Sequence, residues 1–390
     1  MLRNAVILTP LLIAAGCSCN QDYSFPKQVT VTAEDPANFG AWLSMDTAPD
    51  GARLVISYYD KDAGALGFAT GLPQEDGTVK WMHEQVDGYT GDDGLDRSNR
   101  GMYSSLKVAP DGTVWVAYYD VDNGGLYYGH RQGPGLWETG IVDAGTGSSP
   151  DAGQWASLDL DSAGNPVIAH YDAGAKVLRV SHRDGEGWSN ETAFETTART
   201  VPGDSGTEEL IEADAGSYAN VLVHEDVEYI AFFDATWGSL HLLEGSADGY
   251  VHTEVTDGGG PEVAVGQWPN LLHDGENLHI AYHDVTNQNM MVATRNAAGS
   301  WEQDLVDSRD YVGADSDLIL IDGDLSVVYF DGFNNDMKLG KRQAGLWSTE
   351  TLAGDTIAAG FHNETTAAGG QIWAASYNYT DKALFIQALP

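Results

Sequence analysis

The chain has 390 residues, with 58 Asp and Glu against 19 Lys and Arg, giving a formal net charge of −39. A surplus of this size repels nucleic acid and anionic membrane surfaces, which excludes both as expected partners. The only cysteines, Cys17 and Cys19, stand near the N-terminus, so neither a disulfide nor a cysteine metal site is expected in the folded part.

Arg3 places a positive charge ahead of an apolar run from Ala5 to Ala15, and Ala14-Ala15-Gly16 lead into Cys17. The run falls short of the ~20 apolar residues that a spanning helix needs and reads as a signal peptide. It resembles the lipobox of bacterial lipoproteins, with Ala14 where Leu is usual. The resemblance implies that residues 1–16 are removed, that Cys17 carries a diacylglyceryl group, and that residues 17–26 form a lipidated tether. Membrane contact would then be through the lipid anchor only. Ser18 stands where many inner-membrane lipoproteins have Asp, which implies export to the outer membrane or cell surface.

Residues 27–390 are expected to form one domain. Lys27 to Ala33 alternates polar and apolar like an outer strand, yet has no repeat of its own. A repeat then begins. Trp42 and Ser44 precede a Pro49-Asp50-Gly51 turn, the triplet Tyr58-Tyr59-Asp60, Leu66 six places later, and a segment led by Trp81. The triplet recurs as Tyr118-Tyr119-Asp120, His170-Tyr171-Asp172, Phe232-Phe233-Asp234, Tyr282-His283-Asp284, Tyr329-Phe330-Asp331 and, degenerate, Ser376-Tyr377-Asn378. Each is followed at the same spacing by Leu126, Leu178, Leu240, Met290, Met337 or Leu384. The Trp42/Ser44 pair recurs as Tyr103/Ser105, Trp155/Ser157, Tyr218/Asn220, Trp268/Asn270 and Asp315/Asp317, with Phe361/Asn363 as the seventh pair. Two hairpin turns and a further Gly-containing connection into the Trp-led segment give a four-stranded antiparallel sheet. Seven copies at periods of 47 to 62 residues predict an all-β, seven-bladed β-propeller. The seventh copy stops after its third strand, so Lys27–Ala33 is expected to complete that blade and close the ring.

The start of each innermost strand and the second hairpin turn open on one face, where the insertions 88–100, 144–154 and 195–215 also fall. That face is the expected binding surface. Asp60, Asp120, Asp172, Asp234, Asp284 and Asn378 recur in every blade and are read as turn-building anchors, with the Ser and Asn residues bonding the same turns. Departures from symmetry are the functional candidates. Asp315, Asp317 and Asp331 could group three carboxylates in the sixth blade, an oxygen set suited to calcium. His170 and His283 enter two triplets on opposite sides of their strands, which argues against a shared metal. Trp237, Phe333 and Tyr379 occupy otherwise small turns, where exposed rings beside amides suit a sugar.

The stretch ASLDLDSAGNPVIAHYDAGAKVL, Ala156 to Leu178, resembles a repeat of secreted bacterial propellers of the pattern S-L-x-x-D-x-x-G-x-P-x-I-x-Y-Y-D with Leu six places on. The resemblance spans the mature chain and implies the fold without supplying a catalytic residue. Likeness to sialidase-like propellers stops at the fold. No Ser-x-Asp-x-Gly-x-x-Trp box is present, and Arg53, Arg97, Arg100, Arg131, Arg179, Arg183, Arg295, Arg309 and Arg342 share no strand position. No metalloprotease, phosphate-loop or Gly-x-Ser-x-Gly signature occurs either. The expected function is a surface-anchored recognition module for a glycan or another extracellular polymer or protein. The alternatives are a polysaccharide hydrolase or lyase at the channel mouth and a structural envelope protein. The sequence leaves the oligomeric state open.

Overall fold

The middle strand of each repeat is apolar on both faces because it is sandwiched between neighbouring sheets: Leu54–Asp60, Val114–Asp120 and Pro166–Asp172 are buried almost throughout. The computed structural model describes residues 27–88, 98–147, 149–185, 187–203, 207–259, 262–309, 311–354 and 356–389; Cys17 and the signal and anchor readings lie outside them. They form a seven-bladed β-propeller. Blade one runs from inside to outside through Ala41–Thr47, Leu54–Asp60, Ala65–Pro73 and Val79–Gly88. Blades two to six repeat this order, with inner strands Arg100–Val108, Ala152–Leu160, Ala215–His224, Val265–His273 and Val312–Ile321. The insertion after blade three pairs Arg199–Pro202 with Glu208–Ile211 as a separate hairpin.

The core lies between sheets. Phe68 of blade one, for example, meets Trp137 of blade two edge to face at 5.2 Å within one cluster that also holds Val55, Val116 and Tyr118. Such pairs account for the Trp-led outer strands, whose indoles close the gap between blades.

The expected shared blade does not form. Blade seven has three strands, Phe361–Ala368, Gln371–Asn378 and Ala383–Ala388. The N-terminal segment instead divides between the first two blades: Lys27–Gln28 pairs with the outer strand Leu136–Asp143, and Val31–Thr32 pairs with Val79–Gly88. Val29 between them packs into the cluster shared by blades one and two. The segment therefore spans one junction as a strap, and its two short pairings satisfy two exposed sheet edges at once.

The ring is shut from inside. Phe39, Leu43 and Tyr58 of blade one share a cluster with Trp373, Ala375, Leu384 and Ile386 of blade seven. Across the same seam, Thr47 Oγ1 meets Thr366 Oγ1 at 2.8 Å and donates to Ala367 O at 2.7 Å. Tyr377 OH donates to Asn38 Oδ1 at 2.6 Å, and Gly369 N to Gly51 O at 2.7 Å.

Candidate functional site

At the beginning of each inner strand a glycine is followed by one further residue and then by a side chain that turns into the channel. At Gly101, φ is +118° and an added Cβ would lie 2.8 Å from the Leu66 Cα of the preceding blade; at Gly216 it would lie 2.6 Å from Leu178 Cα. Only glycine permits this approach, and it gives the aliphatic residue six places after each anchor its role. Two residues later the chain bulges: Met102 faces Tyr119 and Ser105 faces Ala117, so two residues of one strand oppose one of the other. The bulged residue is left-handed in every blade: Trp42, Tyr103, Trp155, Tyr218, Trp268, Asp315 and His362 have φ between 48° and 57°. Holding such a conformation in an ordinary residue costs about 1–2 kcal/mol, and here it aims seven side chains at one axis.

Five of the seven are aromatic and nearly continuous. Trp42 and Tyr103 lie 4.2 Å apart by centroid, Tyr103 and Trp155 5.4 Å, Trp155 and Tyr218 4.8 Å, and Tyr218 and Trp268 4.6 Å. His362 extends the arc by tilting against Trp42 at 4.4 Å. Asp315 fills the remaining sector. Burial raises its carboxyl while the neighbouring His362 opposes the rise, and burial lowers the His362 imidazole. Together these side chains line a cavity of about 180 Å³ at the channel mouth. Burial also raises the Tyr103 hydroxyl and pushes that of Tyr218 to about 12, so both remain donors across the physiological range.

Two residues deeper, a second ring of side chains ties each blade to the next. Ser44 Oγ accepts from Leu106 N at 3.1 Å, Ser105 Oγ from Leu158 N at 2.9 Å, and Ser157 Oγ from Val221 N at 3.0 Å. Asn220 Oδ1 accepts from Leu271 N and Asn270 Oδ1 from Leu318 N, each at 2.9 Å. Asp317 Oδ2 accepts from Thr365 N at 2.7 Å, and Glu364 Oε2 returns the relay to Met45 N at 3.4 Å. The Ser and Asn residues thus bond the neighbouring blade, not their own turns. Burial raises Asp317 to about 6, and burial together with Asp317 raises Glu364 well above the usual carboxylate range. Below them, Lys107 is raised by Asp159 first and then by Asp46, Glu364 and Asp317.

This geometry corrects the seventh pair. The residues equivalent to Trp42 and Ser44 are His362 and Glu364, not Phe361 and Asn363: Glu364 faces Ala375 as Ser105 faces Ala117. The Gly-x-aromatic spacing, carried through to Gly360, contains the information needed to find them. Phe361 packs instead between Phe330 at 4.3 Å and Tyr379 at 4.5 Å.

The turn anchors close back on themselves. Asp60 Oδ1 accepts from the Asp62 and Ala63 amides, Asp120 Oδ1 from Asp122 and Asn123, and Asp234 Oδ1 from Thr236 and Trp237. Asp172, Asp284 and Asn378 do likewise with Ala175, Asn287 and Thr380. Asp331 accepts from Phe333 and Asn334 in the same way, with Lys338 Nζ 3.9 Å from its other oxygen. It therefore does not join Asp315 and Asp317, and among the described residues no group of three His, Cys, Asp or Glu is placed to hold a metal ion. His170 is buried, with Nε2 3.1 Å from Ser181 Oγ, and His283 is buried with neither ring nitrogen bonded; burial lowers each to about 4. Of the turn aromatics, Trp237 stacks under Arg199 of the inserted hairpin at 4.4 Å, Tyr379 packs on Phe361 and Tyr377, and Phe333 is 70% exposed. They sit in three separate turns, and none of them lines the cavity at the mouth.

No protein-family model matches the chain, and no curated protein matches it. Solved propellers do. The oligogalacturonate lyase of Vibrio parahaemolyticus aligns over 94% of this chain and 98% of its own, with TM-score 0.52 and 10% identity. The polysaccharide lyase Uly1 aligns over 92% and 91%, with TM-score 0.51 and 11% identity. A mutant of AofleA from Arthrobotrys oligospora aligns over 85% and 91%, with TM-score 0.50 and 14% identity. At these identities the likeness is one of fold.

Proposed function

We propose that the protein is a surface-anchored recognition module that binds a glycan at the aromatic mouth of its central channel. The observation carrying this reading is the arc Trp42–Tyr103–Trp155–Tyr218–Trp268 around the cavity. Stacked rings offer apolar faces to the C–H side of a sugar, while indole N–H and phenol O–H groups donate to its hydroxyls. Among the described residues these five side chains make no hydrogen bond to another side chain or backbone group, so their donors face the cavity unspent. The reading moves the glycan site from the turns of Trp237, Phe333 and Tyr379 to the axis. The lipid anchor at Cys17 would hold this mouth at the cell envelope.

The test is calorimetric titration against an oligosaccharide panel. Trp155→Ala is expected to weaken binding at least about 10-fold, equivalent to about 1.4 kcal/mol, while Phe333→Ala leaves it unchanged. Equal affinity in wild type and Trp155→Ala would overturn the proposal.

A further inference from the structure

We propose that the mouth selects a ligand bearing a positively charged ammonium group, in the form of an amino sugar with a free amine. The identification of the carrier as a sugar rests on the reading above; the charge preference rests on the cavity itself.

Three independent observations converge. The first is the wall of five rings, whose π faces attract cations. The second is the sign of the charges behind that wall. Asp315 and Glu364 line the cavity, and Asp317 lies beside Glu364 across Thr365. Two cations oppose them: Lys107, a layer deeper among Asp159 and Asp46, and Lys61, which acts on His362 in the same direction as the burial that disfavours its protonation. The third is an unmet acceptor: Asn363 is 6% exposed and lines the cavity, its Nδ2 donates to Asp315 O and Gly360 O, and its Oδ1 has no partner. A buried carbonyl oxygen without a donor is costly, and it adds negative potential behind the cavity wall, where a cation in the mouth offsets it without touching it.

The channel holds carboxyl groups whose ionisation burial resists, raising Asp317 to about 6, and Asp317 raises Glu364 further. An arriving cation favours the charged forms and drives protons off the pair. Uronates and other acidic sugars would add a further negative charge and are disfavoured.

Choline is the direct probe, because its charge does not titrate, and 3,3-dimethylbutan-1-ol is its neutral isostere. With the full chain at pH 7, choline is expected to bind at least about 10-fold more tightly than the isostere. Its binding should release protons at pH 6, read as a dependence of the calorimetric heat on buffer ionisation. Asp315→Asn, checked for an unchanged melting profile, should shrink the choline-to-isostere ratio. Since that ratio is first measured on the wild type, the test does not depend on the variant folding. Equal affinities for choline and the isostere, or no binding of choline, would overturn the inference whatever the sugars do. Glucosamine, N-acetylglucosamine and galacturonate oligomers test the carrier. Preference for the glucosamine oligomer supports both readings. Choline binding with no sugar binding leaves the ammonium site standing and removes the glycan. Equal or tighter binding of the acetylated or galacturonate oligomer sinks the charge preference while sparing the glycan.

Discussion

The junction between blades three and four is continuous in the chain, whereas that between blades seven and one joins the two ends, and the two are built alike. At the first, Ser157 Oγ holds Val221 N, Asp159 Oδ2 holds Val223 N at 2.7 Å, and Tyr171 OH reaches Asp214 Oδ1 at 2.8 Å. At the second, Glu364 holds Met45 N, Thr366 meets Thr47, and Tyr377 OH reaches Asn38. Apolar clusters fill both, around Ile230 and Phe232 in one and around Phe39 and Trp373 in the other. Blades therefore adhere through their inner two strands and their buried faces. Neither a connecting loop nor a shared outer strand is needed to close the ring.

The largest test of this equivalence removes the filler on each side. Trp373→Ala at the seam and Phe232→Ala at the continuous junction should each cost about 3–5 kcal/mol in urea unfolding, since both side chains are buried in inter-blade clusters. A seam variant that loses under about 1 kcal/mol would show that closure rests on something other than this cluster. A smaller effect is expected from a chain that begins at Glu34 and so lacks both N-terminal pairings. It forfeits two short ladders, the partly buried Val29 with its bond to Gly135 O, the Gln28 Nε2 bond to the same oxygen and the exposed end of the Lys27–Asp87 ion pair, while Arg100 still pairs Asp87. The loss should stay within about 2 kcal/mol. A loss as large as that of Trp373→Ala would return the closing role to the N-terminus.

The sequence carries the fold because the repeat is enforced by local chemistry: an acid that caps its own turn, an aliphatic residue that abuts the next glycine, and a small polar side chain two places beyond the bulge. All three spacings are readable along one chain. The misplacement of Lys27–Ala33 has a different origin. Alternation identifies an outer strand but not the edge it joins, and several outer edges were open to it. The seventh channel pair was displaced by one residue because Phe361 satisfied the aromatic pattern while His362 occupies the left-handed position. The site itself was only partly legible. Asp315 and Asp317 stand out as departures from symmetry, but the five rings look like ordinary repeat residues, and only the bulge reveals that they face a cavity. Conversely, Trp237, Phe333 and Tyr379 look special in the sequence and prove to be scattered over separate turns.

The smallest predicted effect distinguishes the seam by charge. Seam and continuous junction use the same bond, yet Ser157 is neutral and Glu364 is a carboxyl group raised by burial and by Asp317. In the unfolded chain Glu364 returns to its ordinary value, so between the two values the folded chain holds a proton that the unfolded chain has released. Stability from this group is therefore complete at low pH and declines as pH climbs toward the raised folded value. Glu364→Gln keeps an acceptor for Met45 N and abolishes that decline. The variant should melt at the wild-type temperature near pH 4 and about 1–3 °C above it at pH 8. Ser157→Ala, which deletes the equivalent acceptor where no charge is involved, should lower stability by about 1 kcal/mol at both pH values. A Glu364→Gln offset that is the same at pH 4 and pH 8 would mean that the seam carboxyl titrates as an ordinary surface group, and the repulsion assigned to the channel would have to be withdrawn.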